Sequence, residues 1–210
     1  MAHLLNVNVG RPQPVNTGRR TVTTAIWKAP VAGRVQVRGV NVQGDDQADR
    51  SVHGGPDKAV YAYAHEETLV WQHELGKDLG PAPFGENLTT EGIDVSGALI
   101  GERWRIGTTL LEVVQPRLPC FKLGLRIGDA AFVRRFAEAS RPGAYLRILE
   151  EGELGAGDQI DVDAASLPDH GVTMRMVSDA ILLDPSLIPQ VLEAPQLLSS
   201  LRDWMTDRAG

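Results

Sequence analysis

From Leu4 to Val162 the chain falls into short runs of β-type residues, separated every few positions by glycine, proline and polar turn residues. That segmentation limits the fold more than any other feature. Strands this short, at this spacing, build a barrel or a sandwich. Leu4–Val9 is one run. Val35–Val42 reads V-Q-V-R-G-V-N-V, the period of two that marks a half-buried strand. Trp104–Ile106 and Thr109–Val114 read as a hairpin turning at Gly107-Thr108. Tyr145–Leu149 is a further strand, and Gly157–Val162 closes the series. The 22 glycines and 13 prolines follow no fixed period and mark many turns.

Two helices interrupt the strands. Ala64–Leu75 has acidic residues in its first turn and carries Leu69, Trp71 and Leu75. Asp129–Ala139 puts Ala130, Phe132, Val133, Phe136 and Ala137 on a 3.6-residue stripe, with Arg134 and Arg135 outward. After Pro168 the pattern turns helical. Thr173 caps a helix through Leu183, Asp184-Pro185 opens a second to about Glu193, and a third spans about Gln196 to Arg208. In the last, Leu197, Leu198, Leu201, Trp204 and Met205 face inward. The expected organisation is a mainly β barrel over residues 1–165 and a three-helix appendage over 166–210. Three short helices make a thin core, so the appendage packs on its own barrel or on a second copy of the chain, as in a homodimer.

Composition removes several functional classes. With 42% hydrophobic and 23% charged residues among 210, the chain is an ordinary globular sequence, neither disordered nor collagen-like. A net charge of −6 disfavours a nucleic acid polymer as partner, though it leaves room for a local basic pocket. One cysteine excludes a disulfide scaffold. No apolar run approaches the length of a membrane helix, and Met1–Arg11 lacks the pattern of a signal peptide, so a cytoplasmic protein with no membrane partner is expected.

Three segments carry candidate chemistry. Cys120 sits in Gln115-Pro116-Arg117-Leu118-Pro119-Cys120-Phe121-Lys122, just past a strand. Strand ends leading into stiff loops are where reactive groups are displayed, and Arg117 and Lys122 favour a thiolate there. The alternative is a small buried apolar side chain, the common fate of a cysteine outside a disulfide. Asp45–Lys58 reads D-D-Q-A-D-R-S-V-H-G-G-P-D-K. Its Gly54-Gly55 pair lets backbone N–H groups approach an anion, which Arg50, His53 and Lys58 can neutralise; the alternative is a solvated loop. In Phe84-Gly85-Glu86-Asn87-Leu88, Glu86 and Asn87 offer the donors and acceptors that a heterocycle needs, or merely a turn. His53, His65 and His73 do not show zinc spacing. A serine-hydrolase elbow, a phosphate-loop motif and a dinucleotide fingerprint are missing from the sequence.

Taken in order, Asn8–Pro12, Thr23–Lys28 with Pro30-Val31, Gly44–Lys58, Phe84–Leu88, Gln115–Lys122 and Tyr145–Asp158 resemble the MOSC family, the C-terminal domain of molybdenum cofactor sulfurase and its free-standing relatives. The tail from Gly171 to Arg208 resembles the three-helix domain of a bacterial branch associated with reduction of 6-N-hydroxylaminopurine and other N-hydroxylated bases. The resemblance implies a MOSC-type β-barrel that binds a molybdopterin-type molybdenum cofactor, with Cys120 as the thiolate ligand of molybdenum. It places Arg50, His53, Gly54, Gly55, Lys58, Glu86 and Asn87 along the cofactor cleft, and Arg117, Lys122 and Lys28 toward the cofactor's phosphate or pterin. It implies reduction of a small N-hydroxylated substrate to an amine, with an external reductase as electron donor and His53, or else Glu86, as proton donor. Neither an iron–sulfur cluster nor pyridoxal phosphate is expected in this chain. The same residues also allow a carrier that holds sulfur or the cofactor on Cys120 without turnover.

Overall fold

The computed structural model describes residues 1–18, 20–48 and 54–209. Its strands are β1 (His3–Val9), β2 (Gln13–Asn16), β3 (Thr21–Thr24), β4 (Ala29–Pro30), β5 (Arg34–Arg38), β6 (Asn41–Val42), β7 (Val60–Ala64), β8 (Leu88–Glu91), β9 (Arg103–Ile106), β10 (Thr109–Gln115), β11 (Ala144–Glu150), β12 (Gly152–Gly155) and β13 (Ile160–Val162). Eight of them form one sheet in the order β13-β9-β10-β11-β7-β8-β1-β4. Neighbours run antiparallel except β7 and β8, which are parallel and joined through helix α1 (His65–Leu75). The sheet curls until β1 meets the segment leading into β13. There Leu4 N donates to Asp158 O at 2.9 Å, Gly157 N to Leu4 O at 2.8 Å, and Ile160 N to Ala2 O at 2.9 Å. The mainly β, barrel-like expectation holds.

Side chains alternate across a strand, so a strand covered on both faces must be apolar on both. β7 is such a strand, buried at all of its positions. Val60, Ala62 and Ala64 join Leu4, Trp104, Ile106, Leu111 and Leu146 in the main core. Tyr61 and Tyr63 point the other way, into an aromatic cluster with Trp71, Phe84, Phe132 and Phe136. Helices α1, α2 (Phe121–Ile127) and α3 (Phe132–Glu138) contribute to that second layer, in which the Tyr63 and Phe84 ring centres lie 4.3 Å apart. A three-stranded sheet, β12-β5-β6, and the β2-β3 hairpin complete the β-structure of the described residues.

Two strands differ from the sequence reading. Val35–Val42 is not one strand but the hairpin β5-β6, pairing Val37 with Val42 and Arg38 with Asn41. Gly39, at φ +61, makes the reversal that a continuous strand would not need. Gly157–Val162 narrows to Ile160–Val162, because Gly157 also stands in the left-handed region. The tail forms α4 (Met174–Leu182), α5 (Ile188–Val191) and α6 (Ser199–Ala209). Thr173 caps α4 by accepting from Met176 N at 3.1 Å, and Asp184 accepts from Ser186 N at 3.1 Å to open the turn before α5. Met174, Val177, Ile188, Val191 and Met205 belong to the same core cluster as Trp104 and Leu111. Backbone bonds from Ile100 N to Val172 O and from Met174 N to Ala98 O stitch the tail to the barrel of its own chain. No helix among the described residues is long and apolar enough to cross a membrane.

Candidate functional site

Strand register brings one set of residues to the same end of the sheet. Gln115 pairs with Tyr145, Tyr145 with Tyr61, Ala62 with Leu88, and Leu88 with Val7. The segments that continue from these positions converge there: Thr24–Lys28 after β3, Asp45–Ala48, Gly85–Asn87 before β8, and Arg117–Lys122 after β10. They line an open cleft whose walls include Lys28, Asp45, Asp46, Lys58, Asn87, Arg117, Cys120, Lys122 and Tyr145. Four cations against two carboxylates leave the described walls net positive, in a chain whose net charge is −6. This is the local basic pocket that the overall charge left open, and such a cleft concentrates anionic ligands.

Asp45 organises one side of it. Its carboxylate accepts from Gly10 N at 2.7 Å, from Asn87 Nδ2 at 2.9 Å and from Lys28 Nζ. The Asp45 side chain is 1% exposed and that of Lys28 8%, so the ion pair is buried. Burial pushes the Lys28 ammonium down, and the neighbouring Asp45 charge opposes that shift. Asn87 is held from every side. Its Nδ2 donates to Asn8 O at 3.2 Å as well as to Asp45, its Oδ1 accepts from Tyr61 N at 3.1 Å, and its backbone N donates to Tyr61 O at 2.7 Å. Both amide hydrogens are therefore occupied within the protein.

Arg117 forms the floor. It is 7% exposed, donates to the carbonyl of Phe84 and lies 5.2 Å from the Tyr61 ring centre, in cation–π geometry. Cys120, three residues on, is half-buried at the N-terminal boundary of α2 and faces the cleft rather than the aliphatic core. The Arg117 charge and the Cys120 sulfur are close enough to interact electrostatically. Glu86 lies one layer behind, fully buried, accepting from Phe84 N at 3.0 Å. Burial raises its pKa to about 7, against the backbone N–H bonds and the Arg117 charge, which favour the carboxylate. Gly85 separates Glu86 from the cleft. It stands at φ +74, and a Cβ there would come within 2.9 Å of Ile26 Cγ1.

Of the residues singled out from the sequence, the cleft gathers Lys28, Lys58, Asn87, Arg117, Cys120 and Lys122. Glu86 supports the wall without lining it. Gly54 and Gly55 do not line it either; Gly55 precedes the 3-10 turn Pro56–Lys58. Arg50 and His53 lie outside the described residues. The sequence reading missed Asp45 as a partner of Lys28, and it missed Tyr145. No local signal marks the Lys28–Asp45 pair, because the two come from separate loops. Tyr145 did carry a signal: it stands in a strand between Ala144 and Leu146, both core residues, which sends Tyr145 to the opposite face.

Residues 49–161 match the MOSC domain. Over 175 residues the chain is 36% identical to the uncharacterized protein YflK of Bacillus subtilis, covering 83% of this chain and 78% of that one. It is 32% identical over 165 residues to protein YiiM of Escherichia coli, covering 77% and 72%. A protein named reductase from Gibberella moniliformis is 34% identical over 165 residues, which are 76% of this chain and 29% of that one. The crystal structure of YiiM from Geobacillus stearothermophilus superimposes with a TM-score of 0.79 at 25% identity, covering the whole of both chains. The cleft thus sits on a fold shared over the whole chain with the Geobacillus protein and on sequence shared over most of the chain with the curated relatives, and the chain belongs to the MOSC domain family.

Proposed function

We propose that the cleft binds a molybdopterin-type molybdenum cofactor and that the protein is an oxidoreductase that reduces small N-hydroxylated bases or amines to amines. The observation that carries this reading is the placement of Cys120 and its neighbours Arg117 and Lys122 in one cleft with Lys28 and Lys58, which come from two other segments of the chain. The cations suit a phosphate, the polar walls suit a pterin, and a soft thiolate suits molybdenum. Family membership and a relative named reductase support the same class of chemistry.

In this reading Cys120 Sγ holds the metal. Lys28, Lys58, Arg117 and Lys122 bind the cofactor's phosphate and pterin. When bound, the cofactor supplies a two-electron exchange; the overall conversion takes two electrons and two protons to turn R–NHOH into R–NH2 and water. The electrons come from an external reductase. Asp45 fixes Lys28 and Asn87, so that wall is preorganised before any ligand arrives. His53 is the proton donor nearest in kind to neutral pH; Glu86, the alternative, stands behind the cleft wall and would deliver its proton only through an intervening group. The carboxyl of Glu86 holds a proton near pH 7 because the site denies it water.

The test is expression in a cofactor-overproducing host, followed by metal analysis and by assay of 6-N-hydroxylaminopurine reduction with an artificial electron donor. Stoichiometric molybdenum and turnover are expected. Cys120→Ser should lose both while its melting temperature stays within a few degrees of wild type, because the sulfur is no part of the main core. A variant that still turns over, or one that unfolds with its activity intact, contradicts the assignment. Cofactor transfer to an apo-enzyme without turnover would make the protein a carrier.

A further inference from the structure

The chain has three tyrosines. Tyr61 donates its hydroxyl to Pro142 O at 2.9 Å, and Tyr63 accepts from Trp71 Nε1 at 3.0 Å. Tyr145 is different. Its hydroxyl makes no hydrogen bond among the described residues, and it is not one of their sealed, unpartnered polar atoms. The ring is fixed all the same. Tyr145 stands directly opposite Tyr61 on neighbouring antiparallel strands, with ring centres 5.0 Å apart, and Tyr61 is held in turn beneath Arg117. Cross-strand partners share a face, so the pair presents one rigid surface to the cleft that Cys120 also lines.

Among the other polar groups lining that cleft, Lys58, Arg117 and Lys122 are charged, the Thr24 hydroxyl accepts from Ile26 N and the Gln47 amide donates to Lys58 O. Lys28 is paired with Asp45, and the Asn87 amide is saturated. Tyr145 therefore offers a neutral hydroxyl, both donor and acceptor, on an immobile ring. An N–OH group is also neutral, and its oxygen likewise gives and takes a hydrogen bond. The amine product lacks that oxygen. A site that hydrogen-bonds a substrate hydroxyl discriminates against the analogue without it, because its own polar group is left unpaired.

Resting on the function proposed above, we infer that the Tyr145 hydroxyl binds the oxygen of the substrate's N–OH group, so that Tyr145 is the residue that separates N-hydroxylated substrate from amine product. The test is calorimetric binding of 6-N-hydroxylaminopurine and of 6-aminopurine to cofactor-loaded wild type and Tyr145→Phe. Loss of one hydrogen bond should weaken binding of the hydroxylated probe about tenfold. The amine should bind both proteins alike, and the melting temperature should not move, because the ring stack is kept. An equal change for both probes, no change for either, or a melting temperature lowered by many degrees overturns the role of Tyr145 while leaving the proposed function standing. A wild-type protein that binds neither probe overturns the proposed function and this inference together.

Discussion

Glu86 is a carboxylic acid sealed behind the cleft, where backbone N–H groups, the Thr89 hydroxyl at 3.4 Å and the Arg117 and Arg126 guanidiniums favour its charge. Its pKa rises from 4.5 to about 7, chiefly through burial. The folded protein therefore holds a proton that the unfolded chain releases. The stability from this group is fully present below pH 4.5 and is lost as pH rises through about 7, the reverse of an ordinary salt-bridged carboxylate. Glu86→Gln removes that dependence. The stability difference between variant and wild type should change by about 3 kcal/mol between pH 4.5 and pH 8, read from urea midpoints at the two pH values. A constant difference would show that Glu86 titrates normally. The residue types of the site were legible in the sequence, because a lone cysteine flanked by prolines and cations, a basic glycine loop and a Gly-Glu-Asn turn are each unusual in composition. Their environments were not legible, because Arg117, which caps the Phe84–Glu86 turn through the Phe84 carbonyl, comes from a segment 33 residues away.

At the scale of elements, the cleft depends on loops that sheet hydrogen bonds do not hold. Asp45 ties three of them together: the end of β1 through Gly10, the segment after β3 through Lys28, and the turn before β8 through Asn87. Removing its charge strands the Lys28 ammonium in a buried position, which costs about 3–5 kcal/mol for a pair of this kind. Asp45→Asn should lose about that much in chemical denaturation, and adding Lys28→Met should restore more than half. Equal losses in the single and double variants would mean that the pair acts through shape and not charge. The sequence reading found the hairpin at Gly107-Thr108 and the helix after Ala64, whose periods are long enough to be seen. It took β5-β6 as one strand because Gly39 preserves the alternation on both sides of the turn. Helix α2 went unrecognised because seven residues after a proline-rich loop carry too little periodicity.

At the scale of the whole molecule, the last 40 residues are built into the core rather than hung from it. Val172 and Met174 bond to Ile100 and Ala98, and Val177, Ile188, Val191 and Met205 complete the cluster that Trp104 and Leu111 begin. A chain ending at residue 165 exposes that apolar surface, which small folded proteins do not tolerate well. We expect it to melt at least 10 °C lower than the full chain or to aggregate, as scanning calorimetry and light scattering would show. A truncated chain with an unchanged melting temperature would establish two independent units.

What the amino-acid order settled alone was the class of structure and the kinds of atoms available to the site. Short strands, capped helices and a single thiol beside two cations are local properties, encoded within a few neighbouring residues. Folding in three dimensions decided which of those atoms meet. Lys28 finds Asp45, Arg117 packs over the Tyr61 ring, and Tyr145 comes to line the cleft of Cys120 only because a curled sheet brings β1, β7, β8, β10 and β11 to a common end. Such contacts join positions tens of residues apart, and no period in the chain records them.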